Sequence, residues 1–204
     1  MRTLYGAAAS RAARSLLALE ELGLEYRHLP SKPGRVPGDR EQIDALNPNG
    51  HIPVLDDQGL VVWESMAINL YLGDRYGRAP LWPGSPAERA RLYQWSLWSQ
   101  TEIDRPDWQA ARRSGDAERL AAARAGKVKA LRILDRALAD GAYLLGAEFT
   151  LADLNVAATL SQPNEDGKID WDRLDPFALG LAQLGAWLAR CTGRESWNRV
   201  RALP

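Results

Sequence analysis

The stretch Asn47-Pro48-Asn49-Gly50-His51-Ile52-Pro53-Val54-Leu55, followed shortly by Trp63-Glu64-Ser65, constrains this chain more than any other. It predicts a turn, a short strand opened by a proline, a hairpin, a second strand and a helix start. Proline has no N–H to give a ladder, so it sits at strand ends and edges. Placed first in a strand, it leaves the backbone of the preceding Ile52 to pair with something outside the protein. Glu64 and Ser65 at a helix start put free N–H groups and partial positive charge beside that backbone. The combination suits a short extended peptide that ends in a carboxylate.

The flanking segments supply the order around this stretch. Thr3-Leu4-Tyr5 reads as a strand and Gly6-Ala7-Ala8-Ala9-Ser10 as a small-residue loop. A helix follows to about Leu22, with Leu16, Leu17, Leu19 and Leu22 at helical spacing and Gly23 suited to the position past its end. Leu24 to Leu29 alternates as a second strand, and Pro30 to Gly38, rich in proline and glycine, is irregular. Asp39 with Gln42 predicts a capping box for a short helix that stops before Asn47-Pro48. Asp56-Asp57-Gln58-Gly59 has hairpin turn chemistry, and a helix from Ser65 to about Tyr76 completes a βαβαββα order.

Gly77 to Pro86 holds three prolines and two glycines and reads as a linker. Everything beyond it is helical in pattern, over 87–105, 117–140, 150–160 and 176–190. In the last of these, Phe177, Leu181, Leu184 and Leu188 are spaced for one apolar face. Thr150-Leu151-Ala152-Asp153 predicts a capping box, with Phe149 and Leu154 at the staple positions around it. That motif reads as a well-made helix start and as a marker. The fold class expected is α/β plus all-α, with domains at 1–77 and 86–204 joined by a linker at 78–85.

Charge and side-chain chemistry narrow the function. Lys plus Arg and Asp plus Glu both number 26, so the basic excess of a nucleic-acid binder is missing. No apolar run is long enough to span a bilayer, and the first residues carry no leader pattern, so a cytoplasmic protein is expected. Cys191 is the single cysteine, which rules out an intramolecular disulfide and a Cys-x-x-Cys motif. With two histidines and that cysteine scattered, no metal site is expected. No serine sits in a Gly-x-Ser-x-Gly elbow, and only His28 and His51 could serve a hydrolase as histidine bases.

The order βαβαββα then all-α, with Asn-Pro-x-Gly-x-Ile-Pro-x-Leu, Glu-Ser at a helix start and the later Thr-x-x-Asp cap, resembles the cytosolic glutathione transferases over nearly the whole chain. The resemblance implies a thioredoxin-like first domain that binds glutathione and a helical second domain that helps to hold an electrophile. It implies a cis proline at Pro53, with the Ile52 backbone pairing the cysteinyl part of glutathione. Ser65 and its helix N-terminus would take the α-carboxylate of the γ-glutamyl end, and Glu64 its amino group. His51 stands where the family often has a polar residue that contacts glutathione.

Leu4-Tyr5 followed by Ser10 and Arg14 resembles the serine-type members, notably the theta class. Ser10 would then donate a hydrogen bond to the glutathione sulfur and favour its thiolate, without becoming a covalent nucleophile. Tyr5 is the competing donor. Arg11 reads either as a further charge beside the sulfur or as a solvated side chain. The family often has a proline between strand and serine, where this chain has Ala7-Ala8-Ala9. Thiol exchange of the omega or glutaredoxin kind would need a cysteine there. Trp95, Trp98 and Glu102, with Trp108 beyond them, are the candidates for the electrophile pocket; core packing competes for the two tryptophans. The implied activity is conjugation of glutathione to a hydrophobic electrophile by a homodimer, in detoxification. The alternatives are a glutathione-dependent dehalogenase, isomerase or peroxidase, or a non-catalytic binding protein on this scaffold.

Overall fold

The computed structural model describes residues 1–32, 38–104, 110–111, 114–161 and 176–204. Four short strands form one mixed sheet: β1 (Arg2–Tyr5), β2 (Tyr26–Leu29), β3 (Val54–Asp57) and β4 (Leu60–Trp63), in the spatial order β2-β1-β3-β4. β2 runs parallel to β1, which requires a crossover, and α1 (Ala12–Glu21) supplies it. β3 lies antiparallel to β1, and β4 antiparallel to β3. α2 (Asp39–Leu46) precedes β3, and α3 (Ser65–Tyr76) follows β4. The first part of the chain is therefore thioredoxin-like.

Local chemistry explains most of these boundaries. Gly23 ends α1 at φ +63°, with its N–H on Glu20 O at 3.1 Å and the Leu24 N–H on Leu19 O at 3.0 Å, the double bond of a Schellman end. Gln58 and Gly59 have φ of 58° and 96°, as a two-residue hairpin of the right twist demands. Asp56 and Asp57 belong to β3 itself, opposite Val61 and Leu60. The expected capping box at Asp39 and Gln42 does not form. Gly38 takes the N-cap at φ +83°, Asp39 is already helical, and its carboxylate instead accepts the Lys32 N–H.

The second part is helical: α4 (Pro86–Trp98) running into a single π-helical turn (Ser99–Ile103), then α5 (Ala117–Ala137), α6 (Leu151–Leu160), α7 (Ala182–Thr192) and α8 (Glu195–Arg201). Ser85 and Glu88 form a capping box at α4 with Pro86 in the first turn, a signal that the linker reading absorbed. α4 is also shorter than the predicted 87–105, because the π-turn interrupts it. The predicted helix over 176–190 begins only at Ala182. Gly180 turns at φ +71°, the Leu181 N–H bonds back to Pro176 O at 2.8 Å, and Phe177 is left 62% exposed, its ring against Gly185.

One core joins both parts. Leu4 and Leu55 of the sheet, Leu16 and Leu19 of α1, and Leu72 of α3 share it with Leu92, Leu131, Leu154 and Trp187. Burying side chains of this size is worth about 1.5–3 kcal/mol each. Polar bonds set the register at the seam. Asn69 of α3 donates to Arg14 O at 3.1 Å and to Asn155 Oδ1 at 2.7 Å, and Asn155 donates to Ser96 Oγ at 2.8 Å. Buried amides are tolerated only when so paired, and pairing fixes which faces meet.

Candidate functional site

The register of the sheet gathers three distant segments at one edge. Tyr5, the last residue of β1, pairs with Val54, the first of β3, and Val54 pairs with Trp63, the last of β4. The residues just beyond these ends therefore lie side by side: Gly6 after β1, Pro53 before β3, Glu64 after β4. The Ile52-Pro53 bond is cis. Pro53 is buried and precedes the strand by one residue instead of opening it.

Gly6 lets the segments close up. At φ +132°, a Cβ on this residue would lie 2.8 Å from Ala12 Cβ and 3.1 Å from Ile52 Cβ, so only glycine fits between α1 and the 47–53 loop. His28 Nε2 stands 2.8 Å from Gly6 O; since a carbonyl only accepts, Nε2 carries the proton. Asn47, 2% exposed, shapes the loop on the other side, accepting from the Asn49 N–H at 3.0 Å and donating to His51 O at 2.8 Å. Among the described residues, the backbone N–H and C=O of Ile52 make no hydrogen bond. His51 is exposed beside it and Ile52 half-buried.

Glu64 occupies the N-cap of α3 at φ +71° and ψ +116°, a conformation that costs a non-glycine residue about 1–3 kcal/mol. Its C=O accepts the first helical bond, from the Ile68 N–H at 2.9 Å, while no side chain caps α3. Ser65 is thus the first helical residue and not the N-cap, and it is 4% exposed. The helix start presents uncapped first-turn N–H groups beside a carboxylate, the arrangement that suits a group with both an anionic and a cationic end.

Ser10 lies in the turn that enters α1. Its Oγ donates to Ala7 O at 2.7 Å and accepts from the Ala12 N–H at 3.1 Å. The loop is pinned by three backbone bonds: Gly6 N–H to Leu29 O at 2.8 Å, Ala7 N–H to Ser31 O at 3.1 Å, and Ala8 N–H to Pro204 O at 3.1 Å. The last requires an N–H that a proline at this position would lack. α8 brings Pro204 there, held to α1 by the Arg194–Glu21 pair at 2.7 Å. Tyr5 is half-buried in β1.

An ionic cluster ties the start of α1, just after Ser10, to the π-turn of the helical part, and the sequence offered little sign of it. Arg11 Nε and Nη2 donate to Asp104 Oδ2 and Oδ1 at 2.9 and 3.2 Å. Arg14, 1% exposed, donates to Asp104 Oδ2 at 2.8 Å and to Gln100 Oε1 at 2.9 Å. Burial is the largest single influence on the Asp104 carboxyl and works upward, but the two guanidiniums together hold its pKa below the ordinary value. Burial likewise lowers the pKa of Arg14, against the pull of Asp104.

The remaining sequence candidates are placed less tellingly. Trp95 and Trp98 are half-buried against the core and meet edge to face, their centroids 5.1 Å apart at 82°. Glu102 is half-buried in the π-turn, and Trp108 lies outside the described residues. A groove of about 770 Å³ runs along α5, lined by Leu120, Arg124, Val128 and Arg132 among others. It shares no residue with the edge described above.

Comparison with known proteins follows the same division of the chain. Residues 2–74 match the family model for the glutathione S-transferase N-terminal domain, and 117–163 that for the C-terminal domain. Glutathione S-transferase GstB of Escherichia coli strain K12 is 36% identical over 221 aligned residues, covering 100% of this chain and 99% of that one. The theta class glutathione S-transferase of Xanthomonas axonopodis pv. citri, solved with glutathione bound, superposes at a TM-score of 0.77 with 30% identity, over 98% of this chain and 97% of that one. A glutathione transferase family member from Pseudomonas fluorescens pf-5, solved with two glutathione molecules bound, reaches 0.83 at 22% identity, over 100% and 93%, a likeness of fold alone.

Proposed function

The chain belongs to the glutathione S-transferase family and is a transferase of glutathione, and from that premise we propose that it binds glutathione along the sheet edge formed by Gly6, Ile52-Pro53 and Glu64-Ser65. The convergence of these segments, set by strand register, is the observation that carries the reading. The unpaired Ile52 backbone takes the cysteinyl unit. The α3 N-terminus with Ser65 takes the α-carboxylate, and Glu64 the α-amino group. His51 lies on the solvent side. Ser10 then donates to the sulfur. The thiolate attacks the electrophilic carbon of a hydrophobic acceptor, forming a C–S bond and expelling the leaving group with its electron pair. The acceptor sits between the Ser10 loop and the end of α4, near Trp95, Trp98 and Glu102. The thioredoxin-like domain takes residues 1–77 and the helical domain 86–204. Detoxification and a cytoplasmic location belong to the same proposal and are carried by the family resemblance.

Retention on immobilised glutathione, followed by assays with a chloronitrobenzene, an alkyl halide, a hydroperoxide and an isomerisable substrate, tests this reading and separates its reaction types. Ser65→Ala is expected to raise KM for glutathione about tenfold to a hundredfold, as loss of a hydrogen bond to a charged group does. Failure of the unmodified protein to bind glutathione would sink the reading, and retention without turnover of any acceptor would make the site a binding site only.

A homodimer belongs to the same proposal. β4 is an edge strand with Leu60, Val61 and Trp63 at 49%, 36% and 38% exposed, and on α4 Leu97 and Tyr93 are 57% and 37% exposed. Edge strands that stay apolar are normally covered. Light scattering is expected to give twice the chain mass, and Trp63→Lys with Leu97→Lys to shift it toward the single-chain value. A single-chain mass for the unmodified protein would overturn the dimer.

A further inference from the structure

We propose that Pro204, beyond the last helix of the helical part, is a positioning residue for Ser10 and acts through its backbone carbonyl. The role presupposes that Ser10 contacts the glutathione sulfur, as proposed above. Its warrant is one peptide unit with a partner on each side. The Ala8 N–H donates to Pro204 O at 3.1 Å. The carbonyl of the same Ala7–Ala8 peptide accepts from the Ser10 N–H at 3.0 Å and from Ser10 Oγ at 2.7 Å. That peptide is trans, so its N–H and C=O point in opposite directions from one rigid plane. Turning the plane moves both groups together. Whatever holds the N–H therefore holds the carbonyl, and the carbonyl keeps Ser10 by its N–H even when the hydroxyl turns to a sulfur. Ala8 is 9% exposed, so an N–H released here finds little water to replace its partner.

A series of contacts carries Pro204 to this spot. Arg194, ahead of α8, forks onto both oxygens of Glu21 at 2.7 Å, and the Ser196 hydroxyl donates to one of them. Further along α8, Arg199 pairs with Glu20 at 2.8 Å, and Glu20 also accepts from the Tyr26 hydroxyl at 2.7 Å. Glu20 and Glu21 close α1, whereas Ala8 precedes it, so α8 runs back along α1 toward the Ser10 loop. Leu203 completes the path, half-buried against the shared core with its N–H on Val200 O at 3.1 Å. Docking of α8 alone is satisfied by the Glu20 and Glu21 bonds. The bond to Ala8 lies beyond them and reaches the loop that holds the serine.

The test compares the unmodified protein with a variant lacking residues 203 and 204, assayed with glutathione and a chloronitrobenzene across pH. The Ile52 and Glu64–Ser65 contacts lie on other segments and stay. The deletion is therefore expected to cut kcat about threefold to tenfold near neutrality, as a bound-thiol pKa raised by about 0.5–1 does, with KM for glutathione changed less than about twofold. Activity recovers as pH rises. Repeating the deletion in Ser10→Ala separates positioning from general support of the fold. There it is expected to change kcat less than about twofold, because groups in one chain of contacts are not additive. An equal fall in both backgrounds overturns the inference, and so does an unchanged kcat or a pH midpoint moved downward in the deletion variant. Ala8→Pro removes the N–H and keeps Pro204. It is expected to lower kcat in the unmodified background and not in Ser10→Ala, and it decides by the same rule if the deletion variant fails to fold. Absence of glutathione binding in the unmodified protein, or full activity in Ser10→Ala, overturns the site reading and this inference with it.

Discussion

Replacing Asp153 with alanine is expected to lower the urea unfolding midpoint by about 1–2.5 M, taking a loss of about 3–5 kcal/mol and a slope of about 2–3 kcal/mol per M. The carboxylate accepts four hydrogen bonds where three elements meet. Oδ1 takes the Leu144 N–H at 2.8 Å and the Trp187 indole N–H at 2.9 Å, while Oδ2 takes the Thr150 N–H at 2.9 Å and its hydroxyl at 3.0 Å. Asp153 and Trp187 are both fully buried, so truncation strands donors that water cannot reach. Asparagine does not repair the junction. Whichever way its amide turns, an NH₂ meets at least one backbone N–H, and a loss of about 2 kcal/mol is expected. The pH dependence has a definite sign. Burial raises the Asp153 pKa and outweighs the four donors that lower it. The folded state then holds its proton more tightly than the unfolded chain, and the stability this contributes is full below the unfolded pKa and is lost as pH rises through the folded one. The advantage of the unmodified protein over Asp153→Asn should shrink over that window. An unfolding midpoint in Asp153→Ala equal to that of the unmodified protein would refute the argument.

What the sequence disclosed is what short-range chemistry decides. Gly23, the Gln58-Gly59 turn and the Thr150–Asp153 cap each bond within a few residues, so residue type nearly dictates conformation there. Reading failed where a neighbour competed for the same role. Gly38 took the cap expected of Asp39, because a left-handed φ costs glycine nothing. The apolar period from Phe177 was real at Leu181, Leu184 and Leu188, yet Gly180 delayed the helix and Phe177 fell outside it. The edge that gathers Gly6, Pro53 and Glu64 was implied by the family motif, but its cause is strand register, which no single segment encodes. The Arg11–Asp104 and Arg14–Asp104 pairs span 93 and 90 residues, and nothing in a helical pattern announces such a partner.

Ser10→Ala is the largest expected loss of activity, a fall in kcat/KM of about tenfold to a hundredfold near neutrality, with the pH midpoint of the profile moved upward. The Ser10 hydroxyl has one proton, which it gives to Ala7 O at 2.7 Å. Turning that proton toward a sulfur leaves Ala7 O still paired with the Ser10 N–H at 3.0 Å, and Oγ still accepting from the Ala12 N–H. The switch therefore abandons no polar group, and its cost is small beside a hydrogen bond to an anion, worth about 1.5–3 kcal/mol. Loss of that bond raises the thiol pKa, so activity falls most at low pH and recovers as pH rises. The variant also loses the acceptor for the Ala12 N–H, a capping contribution of about 1 kcal/mol, which a melting curve measures separately. Tyr5→Phe provides the contrast. With its ring half-buried in β1, its removal of one hydroxyl is expected to change kcat/KM less than twofold. Full activity in Ser10→Ala together with a large loss in Tyr5→Phe would transfer the thiol contact to the tyrosine.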